Sequence, residues 1–217
     1  MKYLACDLET MVGRDKNKCP EKILMASFVV EDTEHPTPLT LLPHFTCLID
    51  QPIIVGEPTA LAMNTWILVA LERAKSKQTD AQFRSKYIEL GIPAETVDKA
   101  LAAFNKYPVY SLATFTSSAA VFLNEHFGVK DNITVAGKNV TGFDIQFLPE
   151  ALTKRFRHNA IDWGMLFWQP LTDRQVPGSA EVMKRAGVEF TGAHDALQDN
   201  LMGIAAARTA YKRLTNI

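Results

Sequence analysis

The sequence predicts an α/β fold in which a mixed β-sheet is flanked by helices, and three observations lead to this prediction. Apolar runs rich in Val, Phe, Thr and Leu open the chain, helical periodicity fills its middle, and short strands alternate with helices in its second half. With 217 residues and 47% hydrophobic content the chain can build a sizeable core, and no repeat, low-complexity tract or linker divides it. We therefore expect a single domain spanning residues 1–217.

The predicted sheet has five strands. The first is an apolar run that ends abruptly in charge at Asp7, and the last ends at Asp162. The second and third are separated by a polar stretch containing proline, which is typical of a hairpin connection. In chain order, the strands are predicted over 2–6, 23–30, 39–49, 133–137 and 160–162.

Helices are predicted wherever apolar residues recur at steps of three and four. From residue 58 to about residue 127 this spacing predicts a helical block, whose last helix covers 114–127. We interpret about 58–113 as an extended helical insertion in the middle of the chain. Further helices are predicted over 145–156, 179–186 and 195–214.

The bulk composition excludes some classes of function. A formal net charge of −1 provides no global positive field, so affinity for phosphate must come from a local groove or a bound metal. The three cysteines lie at unrelated spacings that suit neither a disulfide framework nor a zinc site. Neither a signal peptide nor an apolar run of membrane-spanning length is present, so we expect a cytoplasmic protein that has no contact with membranes.

The first candidate cluster is Asp7-Leu8-Glu9. Side chains alternate between the two faces of a strand, so Asp7 and Glu9 present two carboxylates to one point. Like charges at such a distance repel each other unless a cation lies between them. The pair can be either half of a metal site or an ordinary solvated turn after a strand.

The second candidate is Asp144, which stands in the apolar segment Phe143-Asp144-Ile145-Gln146-Phe147-Leu148. A carboxylate is costly to bury there without a partner. A helix cap and a metal ligand are equally good interpretations of this residue, because aspartate is favoured at helix starts.

The third candidate cluster runs from His194 to Asp199. Asp195 with Gln198 three residues later is typical of a capping box, which gives Asp195 a structural role and starts a helix at Ala196. His194 then precedes the helix, and Asp199 lies one turn inside it. Taken singly, either could be an ordinary surface residue.

Taken together, the three clusters resemble the DEDDh exonucleases, the RNase H-like group that contains proofreading exonuclease subunits, RNase T and oligoribonuclease. That family carries an Asp-x-Glu pair on its first strand, a Phe-Asp in mid-chain and a His-x-x-x-x-Asp near the C-terminus. Asp7-Leu8-Glu9, Phe143-Asp144 and the segment from His194 to Asp199 follow this order. One departure is Asn139, which lies five residues before Asp144, where the family usually has four.

The resemblance implies an RNase H-like exonuclease fold and 3′-to-5′ hydrolysis of phosphodiester bonds by two Mg²⁺ or Mn²⁺ ions. The implied metal ligands are Asp7, Glu9, Asp144 and Asp199, and His194 is the implied general base. The expected partner is single-stranded nucleic acid, with DNA preferred over RNA. The candidate substrate-binding residues near these motifs are Leu8, Thr10, Lys138, Asn139 and Phe143.

Three alternatives stay open from the sequence. The substrate could be RNA or short oligoribonucleotides, the chain could be an inactive RNase H-like module that binds nucleic acid or protein, or the acidic groups could serve another metal hydrolase. The oligomeric state is not predicted.

Overall fold

The computed structural model describes residues 1–12, 19–192 and 194–215. Within them the chain forms six strands and nine α-helices. The strands are β1 (Lys2–Thr10), β2 (Ile23–Asp32), β3 (His44–Ile49), β4 (Val109–Tyr110), β5 (Val135–Gly137) and β6 (Ile161–Asp162). The helices are α1 (Pro58–Met63), α2 (Thr65–Lys75), α3 (Asp80–Glu89), α4 (Ala94–Lys106), α5 (Leu112–Phe127), α6 (Glu150–Thr153), α7 (Trp163–Phe167), α8 (Ser179–Ala186) and α9 (Ala196–Thr215).

The sheet is mixed, with strand order β4-β3-β2-β1-β5-β6, and this confirms the predicted α/β class. Strands β1, β2 and β3 pair antiparallel, whereas β5 and β6 run parallel to β1, and β4 runs parallel to β3. The central strand β1 therefore has an antiparallel partner on one side and a parallel partner on the other. Since parallel strands end at the same edge of a sheet, the C-terminal ends of β1, β5 and β6 lie together.

Hydrophobic cores cover both faces of the sheet. Tyr3 and Ala5 of β1 pack in a core with side chains of α2, α4, α7, α8 and α9. Leu4, Cys6 and Leu8, which point the other way, pack in a second core with side chains of α5 and α6. The alternation along β1 thus assigns the odd-numbered positions to the face that α9 covers.

The structure corrects the predicted strands in number and extent. The sheet has a sixth strand, β4, which is too short to leave an alternating pattern in the sequence. Strand β1 continues to Thr10, so Asp7 and Glu9 lie within the strand and not beyond its end. The predicted strand over 39–49 is shorter, because a 3₁₀ turn occupies Leu39–Leu41.

One predicted helix is corrected, and one helix is added. The helix predicted over 145–156 is a 3₁₀ turn at Asp144–Phe147 followed by the short helix α6. The reason is Pro149, since the residue before a proline is disfavoured in helical conformation, and Leu148 is extended. Helix α7 was not predicted, whereas the prediction over 179–186 matches α8.

The helical insertion predicted over about 58–113 contains α1 to α4 and ends at β4. Helices α2 and α4 pack their apolar faces, including Trp66, Val97 and Ala100, into the core that α9 shares. None of the helices formed by the described residues is long and apolar enough to cross a membrane.

Candidate active site

Strand β1 presents Asp7 and Glu9 on the face that α9 covers. Both side chains follow Tyr3 and Ala5 in the alternation along the strand. Glu9 is only 7% exposed, and Asp7 is half-buried opposite Ser27 of β2. The two carboxylates are therefore held by the most central backbone of the sheet and shielded from bulk water.

Asp144 is joined to the same strand by a hydrogen bond. The backbone N–H of Leu8 donates to Oδ1 of Asp144 at 3.0 Å. This N–H lies beyond the short ladder between β1 and β5, which pairs only Leu4 with Val135 and Ala5 with Ala136, so the carboxylate satisfies a strand donor. The 3₁₀ turn that starts at Asp144 has no side-chain cap, which does not support the helix-cap interpretation.

The start of α9 places His194 and Asp199. Asp195 accepts hydrogen bonds through Oδ1 from the backbone N–H groups of Leu197 at 3.0 Å and Gln198 at 3.2 Å, as the predicted cap requires. His194 precedes this cap with a φ of 44°, a left-handed conformation that is uncommon outside glycine. The cap thus fixes the direction from which the exposed His194 ring approaches Asp199, which lies in the first turn of the helix.

These elements bring side chains from three parts of the chain together. One ligand atom each from Glu9, His194 and Asp199 lies within 4.8 Å of the other two. Asp7 and Asp144 belong to the same acidic environment, since Asp144 and then Glu9 and Asp199 are the charges that most raise the pKa of Asp7. All five residues predicted as catalytic therefore surround one end of β1.

The electrostatics of the cluster are those of a cation site. Burial, and then the neighbouring Asp144, raise the pKa of Asp7 well above its ordinary value. Burial and the charge of Asp199 raise the pKa of Glu9 to about 8. Burial also raises the pKa of Asp199, although the nearby His194 ring lowers it. Four crowded carboxylates with an imidazole form an oxygen-rich donor set that suits hard divalent cations such as Mg²⁺ or Mn²⁺.

Two grooves flank the cluster and account for most of the predicted substrate-binding residues. The groove beside Glu9 has a volume of about 230 Å³ and is lined by Leu8, Thr10 and Phe143, together with residues of α1. The groove beside Asp7 has a volume of about 150 Å³ and is lined by Lys138 among others. Leu8 and Thr10 are buried, so they contribute mainly the wall of their groove.

Asn139 lies outside both grooves. Its backbone has a φ of 53°, its N–H donates to Oδ2 of Asp162 at 2.8 Å, and its side chain lies against Gly142. Asp162 in turn caps α7, because its Oδ1 accepts from the N–H of Gly164 at 2.6 Å. The longer loop before Asp144 is therefore a turn that is hydrogen-bonded to the end of β6.

Residues of the helical insertion, none of which belongs to the motifs, also lie at the site. Nδ2 of Asn64 donates to the carbonyl of Thr10 at 3.0 Å, and the hydroxyl of Tyr107 donates to Oδ2 of Asp195 at 3.2 Å. Nζ of Lys99 lies 4.1 Å from the centroid of the Trp66 ring, and its charge lowers the pKa of both Glu9 and Asp199. No local pattern marks Lys99, since it becomes relevant only when α4 packs near β1.

Two further residues were missed on the other side of the cluster. Phe190 is 43% exposed and lines the groove beside Asp7, where an aromatic ring can stack on a base. Asn200 is buried, its Nδ2 donates to the carbonyl of Ser27 at 3.0 Å, and it lines the same groove. The adjacency of Asn200 to Asp199 in an apolar helix was the only available signal.

Comparisons with known proteins identify the fold. No family model matches the sequence, and no curated protein matches it either. Among solved structures, the chain is similar to the crystal structure of cell-death related nuclease 4, with a TM-score of 0.54 and 12% sequence identity. The match covers 99% of this chain and 64% of that one, so the chain spans less than two thirds of the protein that it resembles. This similarity confirms the predicted α/β fold, in which helices flank a mixed sheet.

Proposed function

We propose that this chain is a metal-dependent 3′-to-5′ exonuclease that shortens single-stranded DNA and releases nucleoside 5′-monophosphates. The observation that carries the proposal is the convergence of Asp7, Glu9, Asp144, Asp199 and His194 at the end of the central strand. These residues come from three distant parts of the chain, and a purely structural role does not require so many like charges in one buried place. The structural neighbour is itself a nuclease, which supports this assignment.

Asp7, Glu9, Asp144 and Asp199 would hold the metal ions. When bound, two Mg²⁺ or Mn²⁺ ions would activate a water as the nucleophile and offset the negative charge on the leaving 3′ oxygen. The hydrogen bond from the Leu8 N–H orients Asp144 in advance, and the rigid strand β1 orients Asp7 and Glu9. The protein thus fixes the carboxylates before the ions bind.

His194 would take the proton from the attacking water. Imidazole groups in general exchange protons near neutral pH, and His194 lies on the exposed side of the cluster, close to Glu9 and Asp199. Its position just before the Asp195 cap leaves it on backbone outside the helix, where small movements can bring it to the water. Asp195 itself is assigned to the cap and not to metal binding.

The grooves would hold the substrate on either side of the scissile phosphate. Phe143 beside Glu9 and Phe190 beside Asp7 are placed to stack on bases, and Lys138 can contact a phosphate. Leu8 and Thr10 would form part of the groove wall against the terminal nucleotide. Because stacking is tolerant of sequence, we expect little base preference.

The deciding experiment is cleavage of oligonucleotides labelled at the 3′ or the 5′ end, as single-stranded DNA and as RNA, with Mn²⁺ or with EDTA. We expect Mn²⁺-dependent shortening of DNA from the 3′ end by the wild type and none by Asp144→Asn. Glu89→Gln, which removes an exposed carboxylate on α3, away from both grooves, is the control and should cleave normally. If neither polymer is shortened in a metal-dependent manner, the exonuclease proposal is excluded. If only RNA is shortened, the substrate is RNA and not DNA.

A further inference from the structure

A cluster of five Lys and Arg side chains, with one histidine beside them, lies at the end of β1 opposite to the carboxylates. We call it the basic surface, and it comprises Lys2, Lys130, Lys154, Arg155, Arg157 and His158. Its members surround the start of β1, the start of β5 and the turn that leads into β6. All of them except Arg155 line two neighbouring concavities of about 700 and 520 Å³, which share Asn132 and Arg157. The basic surface is therefore continuous.

Lys2, Arg155 and Arg157 of this surface are held in place by neutral acceptors. Nζ of Lys2 donates to the carbonyl of His126 at 3.3 Å, and Nε of Arg157 donates to the carbonyl of Asn132 at 3.3 Å. The Arg155 guanidinium donates to Oδ1 of Asn124 at 2.8 Å. In the parts of the chain that the structure describes, none of the five Lys and Arg residues of the basic surface forms an ion pair. Ion pairs therefore do not neutralise the charge of this surface, and hydrogen bonds fix the positions of three of its five Lys and Arg side chains.

The concentration of charge contrasts with the rest of the molecule. The whole chain has a formal charge of −1, so removing these five Lys and Arg residues leaves −6 on the remainder. Asp131 is the acidic residue that lines these concavities. A polyanion that approaches the protein is therefore attracted at this end and repelled over much of the remaining surface.

The position of the basic surface matches the path of a substrate strand. β1 carries Lys2 at one end and Asp7 near the other, and a rise of about 3.3 Å per residue separates their Cα atoms by about 17 Å. The edge strand β6 runs parallel to this direction, with Arg157 and His158 before it. Lys138 lies at its far end and forms an ion pair with Asp162, with Nζ 3.8 Å from Oδ1. Cations thus lie at both ends of the open sheet edge.

We propose that the basic surface binds the phosphates of a single-stranded nucleic acid upstream of its 3′ end, so that a strand engaged at the carboxylates runs along the β6 edge to this surface. The inference rests on the proposed exonuclease function, which supplies the strand and its direction. Lys and Arg contacts to phosphate are independent of sequence and sensitive to salt. The basic surface would let a chain of near-zero net charge hold long substrates better than short ones.

The test compares two triple charge reversals. The first, Lys130→Glu/Lys154→Glu/Arg157→Glu, removes the basic surface. The second, Lys77→Glu/Lys86→Glu/Lys184→Glu, changes the net charge equally at exposed positions elsewhere. Binding of a fluorescent single strand of about 20 nucleotides is measured by anisotropy in EDTA over a range of salt. Cleavage of that strand and of a dinucleotide is measured in Mn²⁺.

We expect the first variant to bind the long strand at least tenfold more weakly than the control variant. Its slope of log K against log salt should be shallower by about 2, since each phosphate contact on a single strand contributes about 0.7. The ratio of kcat/KM on the long strand to that on the dinucleotide should fall about tenfold. The inference would be overturned by equal affinity and equal salt slope in the two variants. An equal loss of kcat/KM on the long strand and on the dinucleotide would also overturn it. So would binding of an acidic polypeptide that is tighter than binding of DNA.

The two proposals can fail separately. If the wild type cleaves nothing but binds DNA in a manner that depends on the basic surface, the exonuclease proposal is wrong and the surface is still supported as a nucleic-acid site. If the wild type cleaves and the first variant behaves as the control, the inference about the basic surface is wrong alone. Circular dichroism of both variants establishes that each is folded.

Discussion

Replacing Glu9 by glutamine should stabilise the protein in the absence of metal. Burial and the charge of Asp199 raise the pKa of Glu9 from 4.5 to about 8, so the folded chain binds the proton more tightly than the unfolded chain does. Below the unfolded pKa the carboxyl is protonated in both states and costs nothing. As the pH rises toward 8, ionisation of Glu9 increasingly favours the unfolded state. Glutamine keeps the shape of the side chain and has no charge to bury.

The size of the effect follows from the pKa difference. Each pKa unit corresponds to about 1.4 kcal/mol, so the change from 4.5 to about 8 sets an upper bound of roughly 5 kcal/mol at high pH. Asp7 and Asp199, whose pKa values are also raised, titrate together with Glu9 and relax part of the repulsion, so we expect about 2 kcal/mol at pH 8. For a chain of this size, that corresponds to a rise in Tm of about 4 to 8 °C.

The assay is urea and thermal unfolding of the wild type and Glu9→Gln in EDTA at pH 5 and pH 8, with Glu89→Gln as an exposed control. The advantage of Glu9→Gln should be small at pH 5 and largest at pH 8, whereas the control should not differ from the wild type. Saturating Mn²⁺ should reverse the order, because the wild type gains about 2.7 kcal/mol at 100 times Kd and the variant has lost a ligand. A variant that is less stable than the wild type in EDTA at pH 8 would refute the claim that Glu9 is a strained, repelled carboxylate.

Three further predictions concern neighbouring residues. His194→Ala should lower kcat by about 10² to 10⁴ while changing Mn²⁺ affinity much less, and an equal loss in calorimetric Mn²⁺ binding would make His194 a ligand instead of a base. Asn200→Ala should lower the free energy of unfolding by about 1 to 3 kcal/mol in urea titrations, because it removes the buried donor to Ser27; a neutral result would show that this contact does not hold α9 to β2. Gly203→Ala should cost about 1 to 3 kcal/mol in the same measurement, since the added methyl group would overlap the indole of Trp163, and unaltered stability would mean that the ring moves at no cost.

The features that the sequence predicts well are those set by local chemistry. Alternation along a strand is enough to place Asp7 and Glu9 on one face, whatever the length of the strand. The cap at Asp195 depends on hydrogen bonds within three residues, and both of its N–H donors are found where the pattern predicts them. The interruption of the predicted helix at Pro149 is equally local, but the apolar spacing on either side of Pro149 resembles that of one continuous helix.

The features that the sequence does not predict depend on contacts between distant segments. Asp144 meets the N–H of Leu8 across 136 positions of sequence, and no pattern near either residue indicates the pair. Lys99 affects the pKa of Glu9 only because α4 packs near β1. Strand β4 forms by pairing with β3, which is distant from it in sequence. The roles of the five predicted catalytic residues remain predictions that the assays above address.

The attachment of the helical insertion couples it to the chemistry in a further way. The N–H of Glu57 donates to the carbonyl of Met11 at 2.8 Å, Asn64 bonds the carbonyl of Thr10, and Tyr107 bonds the cap of α9. Any local opening that releases the insertion therefore also releases the end of β1 and the start of α9. Because repulsion among the carboxylates strains this same region, metal binding would suppress its opening. Hydrogen exchange at the Glu57 amide would then become slower when metal ions are bound, although Glu57 is not one of the proposed metal ligands.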